Sequence, residues 1–163
     1  MTDYQERLRE GTISFFFLGK SPVAPGTFGS LGALVVAYSL ILLIGDIAGI
    51  LILILATLFY YMGIQIAPWC EKKYGKDPGI FVLDEVIGYL LVIGILIIFQ
   101  IEINSYLWII SFIMFRVFDV LKIWPAKDLE KIKGGHGIML DDIAASFHTL
   151  IFVLLLEEFN ILL

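Results

Sequence analysis

Residues 79–99 read GIFVLDEVIGYLLVIGILIIF, and the reading of this stretch decides the fold. It is apolar throughout except for Asp84 and Glu85, which sit about one helical turn inside its start. A run of this kind meets the roughly 20 residues that a helix needs to cross a bilayer. An ionised side chain at the centre of such a helix costs roughly 2.5 to 3.5 kcal/mol, and less toward its ends. Two adjacent acids near one end therefore need compensating partners elsewhere in the chain, and intramembrane acids mark functional sites by default.

The rest of the chain has the same character. Over 163 residues it is 60% hydrophobic, with a mean hydropathy of +0.94, too apolar for an ordinary soluble domain. The formal charge of -5 comes without any basic patch interleaved with aromatics, so nucleic acid is not an expected partner. Cys70 is the only cysteine, which excludes an intramolecular disulfide and any Cys-rich metal site. The opening MTDYQERLREGTISFFFLGK mixes both charges and offers only a short apolar piece, unlike a cleaved signal peptide. It is expected to stay as a short N-terminal interfacial helix.

Apolar runs at 28–44, 47–67, about 80–101, about 105–121 and about 138–156 predict about five membrane crossings. Gly45 and Asp46 form the tight turn between the first two. All 11 Lys and Arg residues fall in the N-terminal segment, in the loop around Lys72, Lys73 and Lys76, or in the 116–133 region. With alternating crossings these lie on one side, the cytoplasm by the positive-inside rule. The expected fold is an all-α polytopic membrane helical bundle, a single domain over 1–163, N-terminus in and C-terminus out.

That topology gathers the polar residues at one depth. Asp77, Asp84 and Glu85 open the third crossing, Arg116, Asp119 and Lys122 close the fourth, and Asp141 and Asp142 open the fifth. Lys20, Ser21 and Thr27 precede or open the first. Six acids in one zone repel unless a cation holds them, and oxygen-only ligands select a hard ion such as Mg²⁺. Asp84, Glu85, Asp119, Asp141 and Asp142 are the candidate metal ligands. Adjacent helical positions point about 100° apart, so one acid of each neighbouring pair is expected to bind metal and the other to bridge to a cation or backbone donor. Arg116, Asp119 and Lys122 share a broad helix face suited to an anionic phosphate, with Arg offering two donors and Lys a point charge.

SPVAPGTFGSLG carries Pro22 and Pro25 ahead of Gly26, Gly29 and Gly32. Proline before small residues starts a helix whose free N–H groups, with the Thr27 and Ser30 hydroxyls, suit an anion. The same glycine spacing equally suits close helix packing. His136 and His148 are read as bystanders rather than as acid or base groups.

Three motifs in order, SPVAPGTFGS, DPGIFVLDEVIG and FRVFDVLKIWPAKDLEKIKGGHGIMLDDIAAS, resemble the phosphatidylglycerophosphatase A family over residues 14 to 148. The resemblance implies an all-helical, Mg²⁺-dependent lipid phosphatase of the bacterial cytoplasmic membrane. It would convert phosphatidylglycerol phosphate to phosphatidylglycerol and inorganic phosphate in phospholipid biosynthesis. It carries the family's acidic motif onto Asp84 and Glu85, its Arg/Asp/Lys face onto Arg116, Asp119 and Lys122, its paired aspartates onto Asp141 and Asp142, and its turn onto Pro25, Gly26 and Thr27. Ile123 stands where proline is expected and Ser146 where glycine is.

The expected catalytic residues are Asp84, Asp119, Lys122 and Asp142, with Lys20, Thr27, Arg116 and Lys122 binding the substrate phosphate. Metal-activated water and a covalent aspartyl phosphate both remain open as routes, with Asp84 or Asp142 as the base in the first. The rival reading is a cation- or proton-coupled transporter. Against it, the acids crowd one leaflet and leave no stepping stones across the membrane.

Overall fold

The computed structural model describes residues 2–159 and is all-helical there. The expected domain limits of 1 and 163 lie outside the described residues. Helix α1 spans Asp3–Ile13, α2 Pro25–Ile44, α3 Ala48–Tyr74, α4 Leu83–Ile98, α5 Ser105–Leu121, α6 Ala126–Leu129 and α7 Gly135–Glu158. Each of the five apolar runs becomes one long helix. Pro25 occupies the first turn of α2, where its missing N–H costs nothing. Gly45, at φ +60°, ends α2 and opens the short 3₁₀ turn into α3. Asn104 caps α5 by accepting from the Leu107 N–H at 2.9 Å.

The long helices alternate in direction. Gly49 at the start of α3 lies against Ile97 at the end of α4, while Gly63 faces Leu83 at its beginning. Gly26 of α2 meets Glu85, so α2 and α4 start at the same end. The Ser146 hydroxyl of α7 donates to the Gly88 carbonyl of α4 at 2.8 Å, which sets those two helices parallel in register. Phe118 of α5 packs on His148 and Phe152 of α7, whereas Lys122 reaches back to Asp141, so α5 runs antiparallel to α7.

Helix α4 is the axis, packed against α2, α3, α5 and α7. Its residues Val86, Ile87, Leu90, Ile93 and Leu96 are all buried, as a helix apolar on every side requires. The outer helices turn large apolar side chains outward instead, among them Val35, Leu42, Ile50, Ile54, Ile113, Val120, Ile151 and Leu155. A soluble protein rarely exposes so continuous an apolar surface, and lipid is the solvent that fits it. Two stretches, Pro25–Tyr74 and Gly135–Glu158, are long and apolar enough to cross a membrane. Helices α4 and α5, with 16 and 17 residues, fall just short by that criterion.

The N-terminal segment departs from a simple interfacial helix. A capping box joins Thr2 and Gln5 at the start of α1. The helix then stops at Ile13, and Phe15, Phe16 and Phe17 follow with φ of 44°, 57° and 70°. Left-handed backbone costs roughly 1 to 2 kcal/mol per non-glycine residue, so surrounding contacts must hold this turn. Phe15 supplies one, buried against Phe59 with ring centroids 5.8 Å apart.

Glu10 ties α1 to the rest. It pairs with Lys20 at 2.7 Å and Lys73 at 2.9 Å and accepts a hydrogen bond from the Tyr74 hydroxyl. Lys20, then Tyr74 and Lys73, hold the Glu10 carboxyl at a pKa of about 2, below its ordinary 4.5. A depressed carboxyl pKa stabilises the folded arrangement above the unfolded value and loses that contribution as pH falls through the folded one. The protection of α1 amides, measured as exchange relative to the intrinsic rate at each pH, is therefore expected to be high at pH 6 and to fall between pH 4.5 and 2, with Glu10→Gln already poorly protected at pH 6.

Candidate active site

Three carboxylates converge where α4 and α7 begin. One oxygen each from Asp84, Glu85 and Asp142 lies within 4.8 Å of the others. Asp84 is 8% exposed and Asp142 3%. The Glu85 Oε2, Asp142 Oδ2 and Asp141 Oδ1 atoms are buried with no hydrogen-bond partner. Buried polar atoms are nearly always paired, so three orphans in one place point to a missing ligand.

Two cations border the cluster. The Arg116 Nη1 lies 2.7 Å from Asp119 Oδ2 and 3.7 Å from Glu85 Oε1, and it donates to the Ser30 hydroxyl at 3.4 Å. Lys122, at φ 45° in the cap of α5, lies 2.9 Å from both Asp141 and Glu130. Among the described residues, the five carboxylates Asp84, Glu85, Asp119, Asp141 and Asp142 thus face two paired cations, Arg116 and Lys122. At low effective dielectric that excess repels strongly, and a hard divalent cation in the three-oxygen group would offset it. The donor set, all carboxylate oxygen, fits Mg²⁺ chemistry.

Gly26 makes room for this arrangement. A Cβ there would collide with the Glu85 carboxylate and come 3.0 Å from Arg116 Nη2. Gly29, one turn on, lets α2 approach the Val82 carbonyl, where a Cβ would sit 3.0 Å away. The glycine spacing of α2 therefore serves close packing.

The sequence-derived residues distribute unevenly. Asp84 and Glu85 both enter the three-oxygen group, although neighbouring positions were expected to divide; the longer Glu85 side chain swings its carboxylate back toward Asp84. Asp141 and Asp142 do divide, with Asp142 in the group and Asp141 on Lys122. Asp119 sits beside the group, held by Arg116. Thr27 lies half-buried on the first turn of α2. Lys20 is engaged by Glu10 instead of by the cluster, and Asp77 is exposed, at the edge of a cleft of about 740 Å³ that reaches Asp141. Sequence reasoning did not single out Glu130, the second partner of Lys122, or tie Ser30 to Arg116; only the packing of α2 on α4 and the path of the α5–α7 connection reveal them.

Residues 12–157 match the family model described as Phosphatidylglycerophosphatase A. The chain belongs to the phosphatidylglycerophosphatase A family. Two relatives carry that name, one from Haemophilus influenzae, 33% identical across 82% of this chain and 79% of the relative, and one from Escherichia coli, 33% identical across 80% and 72%. A protein of Bacteroides thetaiotaomicron described as "Putative phosphatidylinositol-3-phosphatase" is also 33% identical, across 85% of this chain and 86% of its own length. No solved structure matches. Membership makes the chain a lipid phosphatase of this family.

Proposed function

We propose that this phosphatidylglycerophosphatase A family member hydrolyses phosphatidylglycerol phosphate to phosphatidylglycerol and inorganic phosphate, with Mg²⁺, at the cytoplasmic leaflet of a bacterial inner membrane, as a step in phospholipid biosynthesis. The observation that carries this reading is the convergence of three carboxylates, Asp84 and Asp142 buried and Glu85 half-buried, two of them with unpartnered oxygens, beside Arg116. Asp84, Glu85 and one oxygen of Asp142 would hold the cation. When bound, it neutralises the carboxylates and draws charge from the phosphate oxygens.

The chain's own groups do the rest. Arg116, already anchored by Asp119 and Ser30, offers its remaining N–H donors to the phosphate. Lys122 adds a second positive charge at the opposite side, steadied by Asp141 and Glu130. Thr27 and the free N–H groups of the first α2 turn lie at the same end of the bundle and serve the phosphate from above. The unpartnered Asp142 Oδ2 accepts the proton of the attacking water, and that proton then passes to the departing glycerol oxygen. Acyl chains stay in the surrounding lipid while the headgroup reaches the cluster.

The alternating helices and the confinement of Lys and Arg to one end support a reading of five crossings with the N-terminus in. Lys72→Cys and Glu102→Cys, each in a Cys70→Ala background, are expected to react with an impermeant thiol reagent from opposite sides of sealed vesicles. Labelling of both from the same side contradicts this topology.

The transporter reading finds little support along α4. Beyond Asp84 and Glu85 its core is aliphatic, broken by Tyr89, which is hydrogen-bonded near Ser111 and the Trp108 carbonyl. Among the described residues no ladder of charges joins the cluster to the far turn, where Asp46 and Glu102 lie. The deciding experiment is phosphate release by purified protein in detergent. Release from phosphatidylglycerol phosphate is expected with Mg²⁺ and not with EDTA. Absence of release under conditions where calorimetry shows Mg²⁺ bound would sink the proposal.

A further inference from the structure

A second apolar feature lies apart from the acid cluster. Tyr4, Arg7, Leu8 and Gly11 of α1, the aromatic turn Phe15–Phe17, and Phe59 and Met62 of α3 enclose a groove of about 530 Å³. It shares no residue with the Asp84, Glu85 and Asp142 group. Its volume falls in the roughly 300 to 1,000 Å³ usual for small-molecule sites.

Depth and charge identify the occupant. Met62 and Phe59 lie one and four residues before Gly63, which lies against Leu83 next to Asp84, so the groove reaches from the level of the acids about one helical turn further along α3 toward its start. Phe16 there is 77% exposed, and Met62 continues directly into the outward apolar face of α3. Ile13 ends α1 roughly 9 Å along the axis from Arg7, which puts the guanidinium of that exposed residue toward the headgroup zone. Of the acids within a turn of Arg7, Glu6 and Glu10 are already paired with Lys73 and Lys20, which leaves Asp3, four residues before it, as the one acid on its helix face that competes with a phosphate. An apolar trough with an arginine at its outer rim matches a lipid tail below a phosphate.

We propose that this groove holds one acyl chain of an anionic phospholipid, with Arg7 on its phosphate, as a lipid site separate from the substrate site. The inference rests on the membrane placement proposed above and not on the reaction. The left-handed run Phe15–Phe17 then has a role: it turns Phe15 inward onto Phe59 and leaves Phe16 and Phe17 to wall the chain. Phosphatidylcholine, whose choline already balances its phosphate, gains less from Arg7 than phosphatidylglycerol does.

The test uses the full chain in nanodiscs of phosphatidylcholine containing a small fraction of either phosphatidylglycerol or phosphatidylcholine with a photoactivatable diazirine in the acyl chain. Crosslinked peptides are mapped by mass spectrometry, a readout that needs no catalysis. Phosphatidylglycerol is expected to crosslink several-fold more than phosphatidylcholine within residues 4–17 and 59–62. Arg7→Gln is expected to remove that preference, and Gly11→Leu, whose side chain enters toward the Phe17 ring, to reduce crosslinking of both lipids. Crosslinks spread evenly along the outer faces of α2, α3 and α5, or equal yields from both lipids unaffected by Arg7→Gln, overturn the proposal. Arg7 is exposed, so its variant keeps the test valid if Gly11→Leu fails to fold.

Discussion

Asp84→Asn is expected to lower phosphate release from phosphatidylglycerol phosphate by on the order of a thousandfold or more, the scale of losing a central electrostatic element of an active site. The substitution keeps the shape of the side chain and removes one of three carboxylates that converge within 4.8 Å. Without the full set the site holds its cation weakly, and activity falls with the loading. Stability should move the other way. In EDTA the wild-type chain keeps several buried like charges together with only Arg116 and Lys122 to balance them. Removing one relieves repulsion, so Asp84→Asn is expected to melt higher than wild type in EDTA, by about 2 to 4 °C for each 1 kcal/mol gained. Added Mg²⁺ should raise the wild-type melting temperature and leave the variant's nearly unchanged. A variant that retains wild-type turnover at saturating Mg²⁺ removes Asp84 from the site.

Gly26→Ala is the second large effect, and it separates function from folding. Alanine is the better helix residue by about 1 kcal/mol, and the position lies in the first turn of α2, so the melting temperature should hold. The new methyl group, however, occupies the place of the Glu85 carboxylate and crowds Arg116 Nη2 at 3.0 Å. Both are ends of long side chains and can move, which is why the helix survives. Displacing a reacting group by about 1 Å costs on the order of a hundredfold in rate. Activity is expected to fall by that order, with circular dichroism unchanged. Full activity in Gly26→Ala would mean that Glu85 can leave its place without consequence, and the three-oxygen site would lose one member.

Legibility in the sequence followed the physics of each signal. The long helices were readable because apolar runs of bilayer length, broken by Gly45-Asp46 and by the charged loops, leave little else for the chain to do. The gathering of Asp84, Glu85, Arg116, Asp119, Lys122, Asp141 and Asp142 at one end followed from counting alternating helices. What could not be read was direction about each axis. The split of Asp141 from Asp142 was expected, but which acid turns to Lys122 depends on how α7 packs on α5. The convergence of Glu85 with Asp84 runs against helical geometry alone and comes from the reach of one added methylene. Lys20 was taken for a phosphate ligand because its charge and place suited one; Glu10, ten residues earlier, engages it across the aromatic turn. That turn had no sequence signal, since phenylalanine is among the last residues expected at positive φ.

Ser146 stands where glycine was expected, and its hydroxyl is bonded to two carbonyls at 2.8 Å, those of Gly88 on α4 and Asp142 on α7. It works as a detent between two parallel rods. With α7 unable to slide along α4, the gap between Asp84 and Asp142 is fixed before any lipid arrives. Lys122 and Glu130, on the connection that follows α5, meet this pair of helices through Asp141 of α7.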